Sequence, residues 1–283
     1  MSAPTKTPKS GTNGARAAAD ELRPVTVPDF LAAKARGQRL TMLTAYDYTM
    51  ARLLDAAGVD SLLVGDSLGM VVQGHPDSLS VTLEEIIYHT RLVVRGARRS
   101  LVVADMPFMS YQVSPQQALE NAGRLLKEGG ARAVKLEGGV RVAAAVAAIT
   151  AADIPVVGHI GLTPQSVRRL GGFKVQRDAE QLLTDAKAIE AAGAFALVVE
   201  CVPADLAARI TAAIKVPTIG IGAGVGCDGQ VLVTHDMLGL FDELRPRFVK
   251  QYAEIGREIS QAAEAYCREV REGTFPGTEH SFR

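Results

Sequence analysis

Five places in the chain set ionisable or hydroxylated side chains in or just after a short apolar run: Asp66-Ser67, Asp105, Lys135 with Glu137, His159 and Glu200. Gathered on one rim, such groups could move a proton, stabilise an oxyanion or hold a cation. Several carboxylates sharing a rim with one Lys and one His are electrostatically costly unless a cation offsets them. Asp and Glu oxygens suit a hard ion that keeps some of its waters, so Mg²⁺ is the first candidate. Each residue also has an ordinary reading by itself. An Asp after a strand is more often a cap or turn residue, and a lone His is more often structural. Lys135 and Glu137, two apart, face one side, either the barrel lumen or the helix layer. The set carries the weight, because caps alone do not put an ionisable group at five consecutive strand ends.

The elements that would position these groups are short Val/Ile/Leu runs: LTMLTAY (40–46), VDSLLVGDS (59–67), SLVVADMPF (100–108), ARAVKLEGG (131–139), IPVVGHIG (154–161), AFALVVECV (194–202), VPTIGIGAG (216–224) and QVLVTHD (230–236). Continuous rather than alternating apolar runs are typical of parallel strands covered on both sides. Helix-like stretches lie between most of them. Positions 82–96 carry apolar residues near helical spacing, with Glu84 and Glu85 in the first turn. Ser114-Pro115 opens another helix, while Gly193 and Gly129-Gly130 read as stops. The pattern predicts an α/β fold, a (β/α)₈ TIM barrel forming one domain over 23–283, with an open doubly wound sheet as the alternative. In both, chemistry sits at the carboxyl ends of the strands.

Composition narrows the partners. Lys+Arg and Asp+Glu balance at 31 each, so no global field favours nucleic acid or an anionic membrane. Trp is absent and aromatics make up 5%, which weakens a base-stacking role. Three well-separated cysteines form no CxxC and fit a reducing, cytoplasmic setting. No apolar run approaches the ~20 residues of a membrane helix. Residues 1–22 are rich in Pro, Ser, Thr and Gly at their start and read as a disordered tail.

Some motifs are set aside. Positions 224–229 match GxGxxG, but the match leads into an apolar strand rather than opening a helix. TIGIGAG would allow close backbone approach to a ligand and is a weak phosphate signal. Arg168-Arg169 and KVQRD (174–178) read as solvated faces or subunit contacts. Residues 245–272 read as a closing amphipathic helix, with Phe248, Tyr252, Ile255 and Ile259 packed on the core.

The strings VGDSLGM, ADMPFMSY, VKLEGG, GHIGLTPQSV, GGFKVQ, LVVECVP and IGIGAG stand in an order and spacing that resembles the ketopantoate hydroxymethyltransferase family, over about Val25 to Phe275. The resemblance implies a barrel of the phosphoenolpyruvate/pyruvate type and a cytosolic homodecamer. It implies transfer of a one-carbon unit from 5,10-methylenetetrahydrofolate to 3-methyl-2-oxobutanoate, giving 2-dehydropantoate, the first committed step toward pantothenate. Carried over by motif, Asp66, Asp105 and Glu137 hold one Mg²⁺ per subunit. Asp66, Ser67, Asp105 and Lys135 contact the oxoacid, and Glu200 is the general base. His159, between these groups in chain order, would orient Glu200 or touch the folate.

Such chemistry needs a cation and a separate base. The hydrogen on C3, next to the keto group, is far too weakly acidic for a carboxylate near its reference pKa of ~4.3 without help on the keto oxygen. Two other classes remain open. One is a Mg²⁺-dependent enolate lyase on the same barrel, for which Cys201 would be the telling residue. The other is a non-catalytic, oligomeric ligand-binding protein that keeps the barrel.

Overall fold

A computed structural model describes residues 23–243 and 246–282. Its chain order is α1 (Val27–Ala35), β1 (Leu40–Thr44), α2 (Tyr48–Ala56), β2 (Ser61–Val64), α3 (Leu68–Val71), α4 (Leu83–Gly96), β3 (Leu101–Asp105), α5 (Pro115–Arg124) and β4 (Ala133–Glu137). It continues through α6 (Ala143–Thr150), β5 (Val156–Gly161), α7 (Val167–Leu170), α8 (Ala179–Ala191), β6 (Ala196–Glu200), α9 (Ala204–Ala213), β7 (Thr218–Ile221), β8 (Gly229–Leu232), α10 (Thr234–Leu238) and α11 (Ile255–Glu272). The eight parallel strands pair in sequence order, and β1 pairs with β8 through Leu40↔Gly229 to Leu43↔Leu232. That last pairing closes the barrel and removes the open-sheet alternative. The expected tail, 1–22, lies outside the described residues.

Strand pleating sorts the side chains into two cores. Leu62, Val64, Val102, Val134, Leu136, Val156 and Val199 pack against the helix ring. Leu63, Val103, Ala133, Val157, Val198 and Ile219 fill the lumen. At the N-terminal end α1 plugs the barrel: Phe30 is fully buried and meets Phe195 edge-on, ring centres 5.8 Å apart. Lys34 reaches the loop before β8, with Nζ 3.0 Å from Asp228. The lumen is therefore sealed below and open only at the carboxyl ends of its strands.

The expected helix signals hold. Thr82 caps α4: Glu85 N–H donates to its Oγ1 (3.2 Å), and Thr82 N–H donates to the Glu85 carboxylate (2.7 Å). Ser114 caps α5, whose first residue is Pro115. Gly130 and Gly193 take positive φ where their helices stop. The GxGxxG match does run into a strand, since Gly229 begins β8.

Two expectations need correction. QVLVTHD is not one strand; β8 ends at Leu232, and Thr234 turns the chain into α10 by bonding β1, through its N–H to Thr44 Oγ1 (3.0 Å) and its hydroxyl to Thr44 O (2.5 Å). The closing helix starts at Ile255, not 245, and position 245 itself lies outside the described residues. No residue of α11 is buried, so its apolar stripe does not pack on the core of this chain. Phe248 instead sits against Gly222 at the barrel mouth, and Tyr252 is exposed.

Candidate active site

Alternation along the strands decides which polar groups reach the mouth. Asp105 shares a face with Leu101 and Val103, Lys135 and Glu137 with Ala133, His159 with Val157, and Glu200 with Ala196 and Val198. All of those apolar partners lie in the lumen, so the pleat sends the polar residues to the lumen too. This answers the open question of which side Lys135 and Glu137 face. Register then sets neighbours: Asp105 pairs with Lys135, and Glu137 with His159. Asp66 arrives differently. It follows the end of β2, and Gly65, where an added Cβ would stand 2.9 Å from Ser67 Oγ, lets the chain fold over the rim.

All seven residues singled out from the sequence line one cavity of about 440 Å³: Asp66, Ser67, Asp105, Lys135, Glu137, His159 and Glu200. Its floor is charged. Lys135 Nζ lies 2.7 Å from Asp105 Oδ1, both side chains almost wholly buried. Asp66 N–H donates to Asp105 Oδ2 (3.1 Å). His159 stands between two carboxylates, with Nδ1 3.5 Å from Glu137 and Nε2 3.1 Å from Glu200. Ser67 Oγ is 2.9 Å from the Tyr46 hydroxyl. Above this floor the walls are apolar, including Phe173, Val175 and Phe248.

The electrostatics are those of an over-subscribed ammonium. Burial, and then the charges of Asp105 and Glu137, push the Asp66 carboxyl well above its usual range. Burial also raises Asp105, against the pull of Lys135. Burial presses on Glu137 too, but the hydrogen bond from His159 and the charges of His159 and Lys135 hold it below the ordinary value. Burial would lower Lys135, yet the carboxylates of Asp105, Glu137 and Asp66 raise it. Burial and the Lys135 charge oppose protonation of His159; Glu137 and Glu200 overcome them and raise it to about 9.

Asp66, Asp105 and Glu137 offer only hard oxygen donors, and the rise of Asp66, from burial first and then from the neighbouring carboxylates, is one that a cation would offset. Among the described residues, no three His, Cys, Asp or Glu side chains form a ready-made ligand cage. Protein donors hold these carboxylates instead. Mg²⁺ commonly takes one or two carboxylates and fills its remaining positions with substrate and water, so the donor set fits it without a full cage.

A model of the ketopantoate hydroxymethyltransferase family matches residues 24–278. The chain belongs to that family. It is an enzyme of the hydroxymethyl-transferring class, and its relatives bear this out. A 3-methyl-2-oxobutanoate hydroxymethyltransferase of Moorella thermoacetica is 60% identical, covering 92% of this chain and 98% of the relative. The enzyme of that name from Pelobacter propionicus is 56% identical, covering 93% and 99%. Among solved structures, a phosphonopyruvate hydrolase complex with oxalate and Mg²⁺ superposes with TM-score 0.61 at 14% identity, covering 90% of this chain and 92% of that one. A 2,3-dimethylmalate lyase of the PEP mutase/isocitrate lyase superfamily gives 0.59 at 17% identity, covering 91% of each. At those identities the likeness concerns the fold alone, a closed eight-stranded parallel barrel.

Sequence reasoning missed three residues of this mouth. Tyr46 supports Ser67; Gln165, in the loop after β5, bridges the Asp66 and Glu137 carboxylates, and Tyr111, in the loop after β3, bonds the Gln165 amide and the Glu137 backbone. Tyr111 and Gln165 stood within strings quoted for the resemblance, and Tyr46 ended the first apolar run. Their signal was a buried polar side chain in a loop, which composition does not reveal.

Proposed function

We propose that this enzyme transfers a hydroxymethyl group from 5,10-methylenetetrahydrofolate to 3-methyl-2-oxobutanoate, giving 2-dehydropantoate and tetrahydrofolate on the route to pantothenate, the coenzyme A precursor. The observation that carries the reading is the division of the cavity into a Lys135-centred carboxylate cluster and a Glu200 set apart from it by His159. A carboxylate kept off the cluster is free to act as a base.

In this reading Asp66, Asp105 and Glu137 hold one Mg²⁺ per subunit, which when bound supplies Lewis-acid stabilisation to the charge developing on the keto oxygen. Lys135 adds a second positive charge where burial makes it count for more. Ser67, held by Tyr46, donates to the oxoacid carboxylate. Glu200 takes the C3 proton with its Oε1, while His159 Nε2 steadies Oε2 at 3.1 Å. The apolar upper walls provide the surface against which the folate would lie, and the role left for His159 is orientation of Glu200.

Cytoplasmic residence and a homodecamer belong to the same reading. Three free cysteines support the first; in addition, no helix among the described residues is long and apolar enough to cross a membrane. An exposed stripe on α11, Ile259, Tyr266 and Val270, supports self-association. The competing lyase reading needs Cys201 as acid or base. Burial and the charge of Glu200 push the Cys201 thiol up to about 12, which does not favour a thiolate. The deciding experiment mixes the protein with Mg²⁺ and both substrates and looks for 2-dehydropantoate. Formation that stops on chelation supports the proposal; no product, or full activity after chelation, counts against it.

A further inference from the structure

Gln165 stands in the short turn after β5, 6% exposed, with both polar atoms of its side chain and its backbone N–H hydrogen-bonded. Its Nε2 donates to Asp66 Oδ2 (2.8 Å) and to the Met106 carbonyl (3.0 Å). Its Oε1 accepts from the Tyr111 hydroxyl (2.7 Å) and from Gln112 Nε2 (3.1 Å). Its backbone N–H donates to Glu137 Oε2 (3.0 Å). The amide has one orientation only, because a main-chain carbonyl and a carboxylate accept but never donate and so must face the nitrogen. One residue thus fixes one oxygen on each of two carboxylates that reach the mouth from different strands. Asp66 Oδ1 takes no protein hydrogen bond among the described residues and is left for a ligand.

We infer that Gln165 is the positioning residue of the cation site, holding Asp66 and Glu137 in a shared orientation, and that Tyr111 locks it in place. The inference rests on the cation reading above. The Tyr111 hydroxyl also receives the Glu137 N–H (3.1 Å), so the lock and the strand end it serves are joined directly. Without the Gln165 amide, Asp66 loses its only side-chain donor among the described residues and can turn about its own bonds. Partners that orient ligating carboxylates typically contribute a factor of roughly 10–100 in metal affinity.

The test titrates metal-free protein with Mn²⁺, following free Mn²⁺ by electron paramagnetic resonance, for wild type, Gln165→Met and Tyr111→Phe. Gln165→Met keeps the shape and removes the donors. We expect its Kd to rise roughly 10–100-fold, and Tyr111→Phe to show a smaller rise. We also expect C3 hydrogen exchange of the oxoacid in Gln165→Met to recover toward wild type at saturating Mg²⁺, because Glu200 is untouched. A Gln165→Met protein that melts cooperatively and binds Mn²⁺ with wild-type affinity overturns the inference alone. If Gln165→Met does not fold, Tyr111→Phe decides, and unchanged affinity there overturns it. Wild-type protein that takes up no Mn²⁺ would overturn the cation reading and this inference with it.

Discussion

Asp236 sits half-buried on the wall of the same cavity as Glu200, and burial alone raises its carboxyl to about 6. The unfolded chain ionises this group near 3.8. Between those values the folded state holds a proton that the unfolded state has lost, so stability falls as pH rises through the window. Above about 6 the folded protein carries the whole penalty of a buried charge. Asp236→Asn should therefore raise the melting temperature at pH 7.5 and leave it unchanged at pH 4 or below; no gain at pH 7.5 would show that the carboxyl is better solvated than its position implies. Cys201 offers a second check. Its protonated thiol has no part in the proposed chemistry, so Cys201→Ser should retain turnover, and loss to background would move the assignment toward a lyase. Asp66, Asp105, Lys135, Glu137, His159 and Glu200 were legible in the sequence because each interrupts or ends an apolar run. Gln165 was not. Its partners lie 99 and 28 positions away, and nothing local distinguishes it from a solvated glutamine.

The strands and their ends obey simple local rules, and those rules make specific substitutions informative. Gly161 closes β5 at φ 94°, a conformation costly for any other residue, and an added Cβ would strike the Glu200 carbonyl oxygen and come within 2.9 Å of Val202. Gly161→Ala should displace the tip of β6 and lower activity more than oxoacid binding, measured as kcat against KM. Retained kcat would mean that Glu200 tolerates movement of its own strand. Helix α4 depends on a reciprocal cap, and Thr82→Ala should cost about 1 kcal/mol in chemical denaturation without changing turnover. Legibility was high wherever the signal was local: caps and stops read correctly, whereas the side faced by Lys135 and Glu137 stayed open until the lumen core around Ala133 fixed it. It failed at β8 because the turn after Leu232 is set by Thr234 bonding to Thr44, a partner from the opposite end of the barrel sequence. It failed at α11 because an apolar stripe announces burial without naming the surface that provides it.

Closure of the barrel brings the separated residues together, since pairing of β1 with β8 turns a list of strand ends into a ring. Apolar runs announce parallel strands but cannot distinguish a ring from an open sheet, and that difference rests on one pairing between the two ends of the fold. The exposed stripe of α11 points outward from the ring. Ten copies of a 29.9 kDa chain would give a particle of about 300 kDa, and light scattering coupled to gel filtration should find it, whereas a monomer mass would remove the decamer from the account. In the proposed chemistry a ring of strand ends holds the oxoacid at a charged floor while Glu200, steadied by His159, removes the hydrogen from C3. Its most direct test is exchange of that hydrogen in D₂O, followed by NMR, for wild type and Glu200→Gln with Mg²⁺ and no folate. Wild type should exchange, and Glu200→Gln should lose roughly 10²–10⁴-fold in rate with oxoacid binding retained; exchange at the wild-type rate in that variant would rule out Glu200 as the base.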